Sequence, residues 1–170
     1  MLGLVLLYVG AVLFINGISL LGHITAKEAA IMNVFTGIIS FIVCVFNLST
    51  GEPLLIQASA YGLLFSFTYL WVAYNNLFQM DGRGLGWFSL FVSITAIFIT
   101  WDTYQTAESF ADNWLVYCWA MWVVLWGLFF ALGAMKKVEW TNAIAKFTIF
   151  VAITTAWVPG YLMLSGHMPV

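Results

Sequence analysis

Apolar residues run along the chain in six long blocks, separated by short gaps that hold most of the polar residues. A helix needs about 20 residues to cross about 30 Å of hydrocarbon, and each block is close to that length. Continuous blocks predict helices rather than the strands of a membrane barrel, in which apolar positions alternate. The blocks are Leu2–Leu21, Ala29–Leu48, Leu55–Phe78, Gly86–Trp101, Trp114–Met135 and Ala145–Leu164.

The composition agrees with an integral membrane protein. Of all residues, 64% are hydrophobic and 7% are charged, whereas about 25% are charged in soluble domains. The blocks take up most of the 170 residues, so we predict one all-α bundle of six transmembrane helices over residues 1–170. No basic residue precedes the first block and no cleavage pattern follows it, which favours a retained helix over a signal peptide.

The charges are distributed unequally between the gaps. The second and fourth gaps contain acidic residues such as Glu52 and Asp102 but no basic residue. Since basic residues favour cytoplasmic loops, we predict that the odd-numbered gaps are cytoplasmic and that both termini lie on the outer side. The basic residues all lie in or beside the odd gaps: Lys27, Arg83, Lys136, Lys137 and Lys146.

The blocks have no Asp, Glu, His, Lys or Arg in their middle. Ion-coupled transporters and intramembrane acid–base enzymes need such groups, so the pattern argues against both classes. The chain also has no phosphate-binding loop and no basic patch for nucleic acid, and nothing in it requires a cofactor. Passive passage of an uncharged solute and a purely structural role remain.

Cysteine and histidine do not indicate a metal centre or a redox site. Cys44 and Cys118 lie within blocks, near the same side of the predicted membrane. A disulfide between them is geometrically conceivable, but free cysteines are usually small buried hydrophobes, and we favour that interpretation. His23 and His167 lie at block ends, away from carboxylates and thiols, so no metal site is predicted.

The fifth block has three tryptophans in its interior, where membrane-surface anchors do not reach. Trp119, Trp122 and Trp126 are spaced i, i+3 and i+7, so they share one face of a helix. Indole N–H groups need partners inside a membrane, and water or a solute in a passage would supply them. The alternative is that the stripe is helix–helix packing.

Two further helices carry stripes, and we predict that these also line the passage. The stripe of the third block is Phe67, Trp71 and Tyr74, with Asn75 beside it. The stripe of the first block is Leu2, Leu6, Val9 and Leu13, and it ends at Asn16. For the two asparagines the alternative is a hydrogen bond between helices.

Residues 1–10, Asn16-Gly17 and Met32-Asn33 closely resemble the AmiS/UreI family of urea and short-chain amide channels. The resemblance continues in order through residues 62–70 and 87–92, the tryptophan stripe and residues 155–159. It implies six-helix protomers with both termini outside, joined in a hexameric ring with one solute pore through each protomer. It places on the pore wall Leu2, Leu6, Leu13, Phe67, Trp71, Trp119, Trp122 and Trp126, to which the stripes add Asn16 and Tyr74.

The resemblance implies a passive channel for urea or a short-chain amide in the inner membrane of a bacterium. The implied partners are the solute, lipid, other copies of the chain, and a functional link to a cytoplasmic urease or amidase. A structural or assembly subunit and an uncoupled amide carrier are the alternatives. Carriers usually contain paired broken helices, whereas Pro159 is the only proline within a block.

One departure from the family bears on regulation. Acid-activated members have a Glu in the sixth helix and a His-rich outer loop. The position of that Glu falls at Val151 here, and the gap over residues 49–54 has no His. We therefore expect the solute class to hold and acid gating to be absent or weak.

Overall fold

The computed structural model describes residues Met1–Met168, and within these residues all regular structure is helical. Six spans are long and apolar enough to cross a membrane, which confirms the predicted bundle. The first five are α1 (Leu2–Leu20), α2 (Ala26–Leu48), α3 (Pro53–Phe78), α4 (Arg83–Gln105) and α5 (Phe110–Gly133).

The sixth span, Val138–Leu164, changes helix type along its length. Pro159 has no N–H to donate to the carbonyl of Thr155, and the Cys118 thiol donates to that carbonyl at 3.4 Å. Short π-helical segments of this kind occur often at functional sites. In order, the span consists of a 3-10 turn (Val138–Trp140), α6 (Thr141–Val151), a π-helical segment (Ala152–Trp157) and α7 (Val158–Leu164).

Two of the helices that begin before their apolar blocks have polar side-chain caps. At α2, the Thr25 hydroxyl accepts a hydrogen bond from the Glu28 N–H at 3.2 Å, and the Glu28 carboxylate accepts one from the Thr25 N–H at 2.8 Å. Ser109 and Asp112 make the same reciprocal pair at α5, at 3.1 and 2.8 Å. Such caps stabilise a helix by about 1 kcal/mol, so α2 and α5 extend into their polar flanks.

The helices pack in an order that leaves space at the centre. α2 packs on α3 and α4 on α5, while α1 packs against α2 and the whole sixth span. In the described part of the chain, α1, α3 and α5 have almost no close backbone contacts with one another. Large side chains and a cavity therefore occupy the space between these three helices.

The bundle has two chemically different ends. The terminal end contains Met1, the α2–α3 and α4–α5 loops and the last turn of α7, and the basic end contains the other three connections. At the basic end, Arg83 forms an ion pair with Asp81 at 3.2 Å, and Lys136 donates a hydrogen bond to the Asp81 carbonyl. These contacts join the α3–α4 connection to the connection that follows α5.

Both cysteines are buried free thiols, as predicted. Cys44 lies against Gly62 of α3, where an added Cβ atom would be 2.7 Å from its sulfur. The Cys118 thiol instead donates a hydrogen bond to the Thr155 carbonyl of the sixth span.

Candidate functional site

A cavity of about 420 Å³ lies between α1, α3, α4 and α5 in the basic half of the bundle. That volume falls within the range of about 300–1,000 Å³ that is usual for small-molecule sites. Among the described residues, no Asp, Glu, His, Lys or Arg lines it. The cavity therefore suits an uncharged solute.

Toward the terminal end, the cavity stops at a buried group of four rings, here named the aromatic cluster: Phe65, Trp119, Trp122 and Trp126. The ring of Phe65 lies with its centroid 4.7 Å from those of Trp122 and Trp126 and 5.9 Å from that of Trp119. All three contacts are edge-to-face, a geometry that contributes about 0.5–1.5 kcal/mol per pair beyond burial. The cluster fills the space between α3 and α5.

A hydrogen bond to the sixth span fixes the middle ring of α5. The Trp122 Nε1–H donates to the Thr155 hydroxyl at 2.9 Å, and that hydroxyl donates to the Val151 carbonyl at 2.7 Å. The sequence suggested water or a solute as the partner of these indoles. For Trp122 the partner is a buried side chain of the protein.

Thr155→Val is expected to lower the free energy of unfolding by about 1–3 kcal/mol, because it leaves the buried Trp122 N–H without a partner. The unfolding temperature in detergent measures the change. Thr154→Val is the control, because the Thr154 hydroxyl accepts its hydrogen bond from the Tyr117 hydroxyl, at 3.2 Å, in an exposed position. Equal losses in the two variants would contradict the assigned role of Thr155.

The predicted residues of α1 and α5 lie at different depths in the bundle, and four of them line the cavity. Leu13, Asn16, Trp122 and Trp126 line it. Trp119 belongs to the aromatic cluster, and Leu6 is buried in the core at the terminal side. Leu2 lies at the terminal end and is partly exposed.

The predicted stripe of α3 does not face the cavity. Phe67, Trp71 and Tyr74 are 45%, 38% and 50% exposed and point away from the bundle interior. Trp71 packs instead on Phe88 of α4, with ring centroids 5.7 Å apart. An aromatic stripe is equally stable against lipid or a neighbouring helix, so its spacing alone does not identify the inward face.

The cavity-lining residues of α3 begin two positions earlier, at Phe65 and Tyr69. A shift of two residues rotates a helix position by about 200°, almost to the opposite face. A heptad of small buried residues, Ser59, Ser66 and Ala73, marks the adjacent face of α3, which packs on α2. The two serines donate hydrogen bonds to α2 carbonyls at 3.1 and 2.9 Å, which sets the rotation of α3.

Three asparagines contribute carboxamides to the cavity wall: Asn16 of α1, and Asn75 and Asn76 of α3. Asn16 of α1 is paired with Asn33 of α2, so for Asn16 the alternative, a hydrogen bond between helices, is present beside the cavity. Asn75 of α3 is 9% exposed and lines the cavity, and its side chain makes no hydrogen bond to another described residue. The cavity wall therefore offers uncharged hydrogen-bonding groups within a mostly apolar lining.

A six-span membrane bundle with an internal cavity fits the class of multi-pass membrane transport proteins. Residues 1–167 match the model of the AmiS/UreI family transporter, and the chain belongs to this family.

Relatives with named functions match nearly the whole chain. A protein of Mycolicibacterium smegmatis described as a putative amidate substrates transporter is 41% identical over 167 residues, 97% of this chain and 77% of that one. The acid-activated urea channel of Helicobacter pylori J99 is 35% identical over 198 aligned positions, 98% of this chain and 99% of that one. The closed-state structure of the Helicobacter pylori urea channel is similar with a TM-score of 0.88 at 34% identity, covering 99% of this chain and 100% of that chain.

Proposed function

We propose that this protein is a passive channel for small neutral amides such as urea and acetamide, in the inner membrane of a bacterium. The observation that carries the proposal is an uncharged cavity that ends at a buried aromatic cluster within a single chain. The urea channel and the amidate transporter among its relatives support this solute class. With the odd gaps cytoplasmic, the cavity opens toward the cytoplasm and the aromatic cluster lies on the outer side.

The proposed pore wall keeps most of the residues inferred from the sequence. Leu2, Leu6, Leu13, Asn16, Trp119, Trp122 and Trp126 remain in it, and Phe65 and Tyr69 replace Phe67, Trp71 and Tyr74. A planar solute stacks on these rings and sheds most of its water. An ion would lose its hydration without a compensating charge, at a cost of many kcal/mol, and is excluded. Few hydrogen bonds are needed, because a conducting site has to release its solute.

The rings have to separate before a solute can pass. A planar molecule between two rings needs about 7 Å, twice the contact distance of about 3.5 Å. The Phe65 and Trp122 centroids are 4.7 Å apart, so this conformation is closed in our proposal. The similarity to a urea channel in its closed state supports that interpretation.

Stopped-flow swelling of proteoliposomes in urea, acetamide and glycerol tests the function. A channel gives fast, non-saturating flux of urea and acetamide with low activation energy. Saturating flux would identify the carrier alternative, and flux no faster than in empty liposomes would identify a structural subunit.

We expect urea flux to change by less than about threefold between about pH 5 and 7.5, where His is the side chain that ordinarily titrates. Val151 is fully buried at the position of the family's Glu. At the basic end, the Arg83 backbone N–H donates to the Asp81 carboxylate at 2.8 Å. This hydrogen bond holds the pKa of Asp81 below its ordinary value, and the positive charges of Lys136 and Arg83 also lower it. Asp81 therefore stays ionised between about pH 5 and 7.5, and any stability that its carboxylate contributes is lost only when the pH falls below this range.

Urea flux across this pH range measures the dependence, and His167→Ala provides the control. His167 is exposed at the terminal end, with Nδ1 2.7 Å from the Ser165 hydroxyl. A rise of about tenfold on acidification, equivalent to about 1.4 kcal/mol, would contradict weak gating. Loss of such a rise in His167→Ala would identify the sensor.

We also propose that six copies form a ring, as the family resemblance implies. Exposed apolar side chains such as Phe35 and Ile42 of α2 and Phe91 and Phe98 of α4 provide surfaces for lipid or a neighbouring copy. The mass in mild detergent should correspond to a hexamer, and a fully active monomer would contradict this. A cytoplasmic urease or amidase that consumes the solute is the functional partner we expect.

A further inference from the structure

The carboxamide of Asn16 is held in one orientation by its neighbour. The Asn33 Nδ2 donates to the Ala29 carbonyl at 2.9 Å, and since a carbonyl can only accept, this bond determines which side of the Asn33 amide is nitrogen. The same nitrogen donates to the Asn16 Oδ1 at 2.6 Å, and the Asn33 Oδ1 accepts from the Asn16 Nδ2 at 3.0 Å. The orientation of Asn16 thus follows from a backbone carbonyl of α2.

Within the pair, only Asn16 keeps a free N–H donor. A carboxamide has two N–H donors and an oxygen with two acceptor positions. Both N–H donors of Asn33 are used, and the residue is fully buried outside the cavity lining. Asn16 keeps one N–H and one acceptor position, and it lines the cavity.

The other two carboxamides on the cavity wall, Asn75 and Asn76, come from a different helix. Asn75 of α3 lines the same cavity as Asn16 of α1, and within residues 1–168 its amide has no protein partner. Its amide atoms are accessible from the cavity, so water or a solute there can bind them. Uncharged amides with free donors and acceptors on two helices suit a small molecule that has both.

We propose that Asn16 and Asn75 form a urea-recognition site on the basic side of the aromatic cluster, and that Asn33 is the positioning residue of that site. The inference rests on the proposed function and adds the residues that select the solute. Urea and acetamide are planar and nearly equal in size, but acetamide has a methyl group where urea has a second NH₂. Two carboxamides can each engage one NH₂ of urea, so the site favours urea over acetamide.

The site also explains how a solute leaves the dry cluster. Urea that has shed water among the rings regains hydrogen bonds at the two carboxamides. The amide nitrogen and the amide oxygen of Asn16 each already make one hydrogen bond to Asn33. Asn16 therefore offers urea only one further donor and one further acceptor, which replace water without binding urea tightly. Weak replacement of hydration is what conduction requires.

A purely structural role for the Asn16–Asn33 pair is the competing interpretation. A matched control exists, because the Thr36 hydroxyl of α2 donates to the Tyr8 carbonyl of α1 at 3.2 Å. Thr36 is fully buried and does not line the cavity. Thr36→Val therefore removes a bond between the same two helices while leaving the proposed site intact.

The experiment measures the ratio of urea flux to acetamide flux in proteoliposomes. Asn33→Leu, Asn16→Leu and Asn75→Leu should each lower this ratio by about threefold to tenfold, the range for one net hydrogen bond. Thr36→Val should leave it unchanged. Asn16→Leu combined with Asn33→Leu should lower it no further than Asn16→Leu alone, because Asn33 acts through Asn16.

Several results would overturn the inference. The first is a wild-type ratio of urea to acetamide flux in Asn33→Leu or Asn75→Leu. The second is a fall of this ratio in Thr36→Val as large as the fall in Asn33→Leu. The third is a fall in the double variant that equals the sum of the two single effects. Asn75→Leu keeps the test decisive if the α1–α2 variants fail to fold, since the Asn75 side chain holds no described residue in place. Wild-type protein without urea or acetamide flux would refute the proposed function itself, whereas normal flux with unchanged ratios would refute only the recognition site.

Discussion

Phe65→Ala is expected to raise glycerol flux relative to urea flux by about tenfold or more, because removing a ring worth several kcal/mol of packing opens the cluster. Phe65 is the only ring of α3 in the aromatic cluster, and it contacts all three tryptophans of α5. Without it, the space between α3 and α5 gains the width of an aromatic side chain. A bulkier, non-planar solute such as glycerol can then pass.

Phe67→Ala is the matched control, two residues away on the same helix. Phe67 is 45% exposed and lies outside the cavity lining, so its removal should leave the ratio of glycerol to urea flux unchanged. Flux of both solutes is measured at equal protein incorporation. A selectivity change in Phe67→Ala and none in Phe65→Ala would restore the pore wall suggested by the aromatic stripe and contradict the one proposed above.

Gly10→Ala is expected to destabilise the bundle by about 1–3 kcal/mol or more, through overpacking between α1 and the sixth span. A Cβ atom at Gly10 would lie 2.6 Å from the Trp157 backbone nitrogen. On the facing surface of the sixth span, a Cβ atom at Gly160 would lie 2.5 Å from the Leu7 backbone nitrogen of α1. Because these neighbours are backbone atoms, they cannot rotate away, and the two spans have to separate.

Gly127→Ala is the control for this prediction. The atom nearest to a Cβ at Gly127 is the Ser93 hydroxyl oxygen at 3.6 Å, an ordinary contact. Because alanine favours helix over glycine by up to about 1 kcal/mol, the unfolding temperature should hold or rise. Equal unfolding temperatures for Gly10→Ala and Gly127→Ala would show that the close approach of α1 to the sixth span is not needed for stability.

The structure buries the aromatic stripe predicted in α5 and leaves the stripe predicted in α3 exposed. In α5, Trp119, Trp122 and Trp126 are the only stripe of large rings in the middle of the span, and the structure buries them. In α3, rings occur on two faces, with Phe65 and Tyr69 on one and Phe67, Trp71 and Tyr74 on the other. Helical spacing groups residues by face but does not say which face is turned inward.

The sequence by itself determined the class of protein and its span count, because a membrane demands about 20 apolar residues per helix and penalises buried charge. It also pointed to Trp122 and to the two polar positions Asn16 and Asn75. Only the tertiary structure decided the rotation of α3 and the pairing of Asn16 with Asn33, because both depend on contacts between helices. The buried serines of α3 bond to carbonyls of α2, and that partner cannot be read from the α3 sequence.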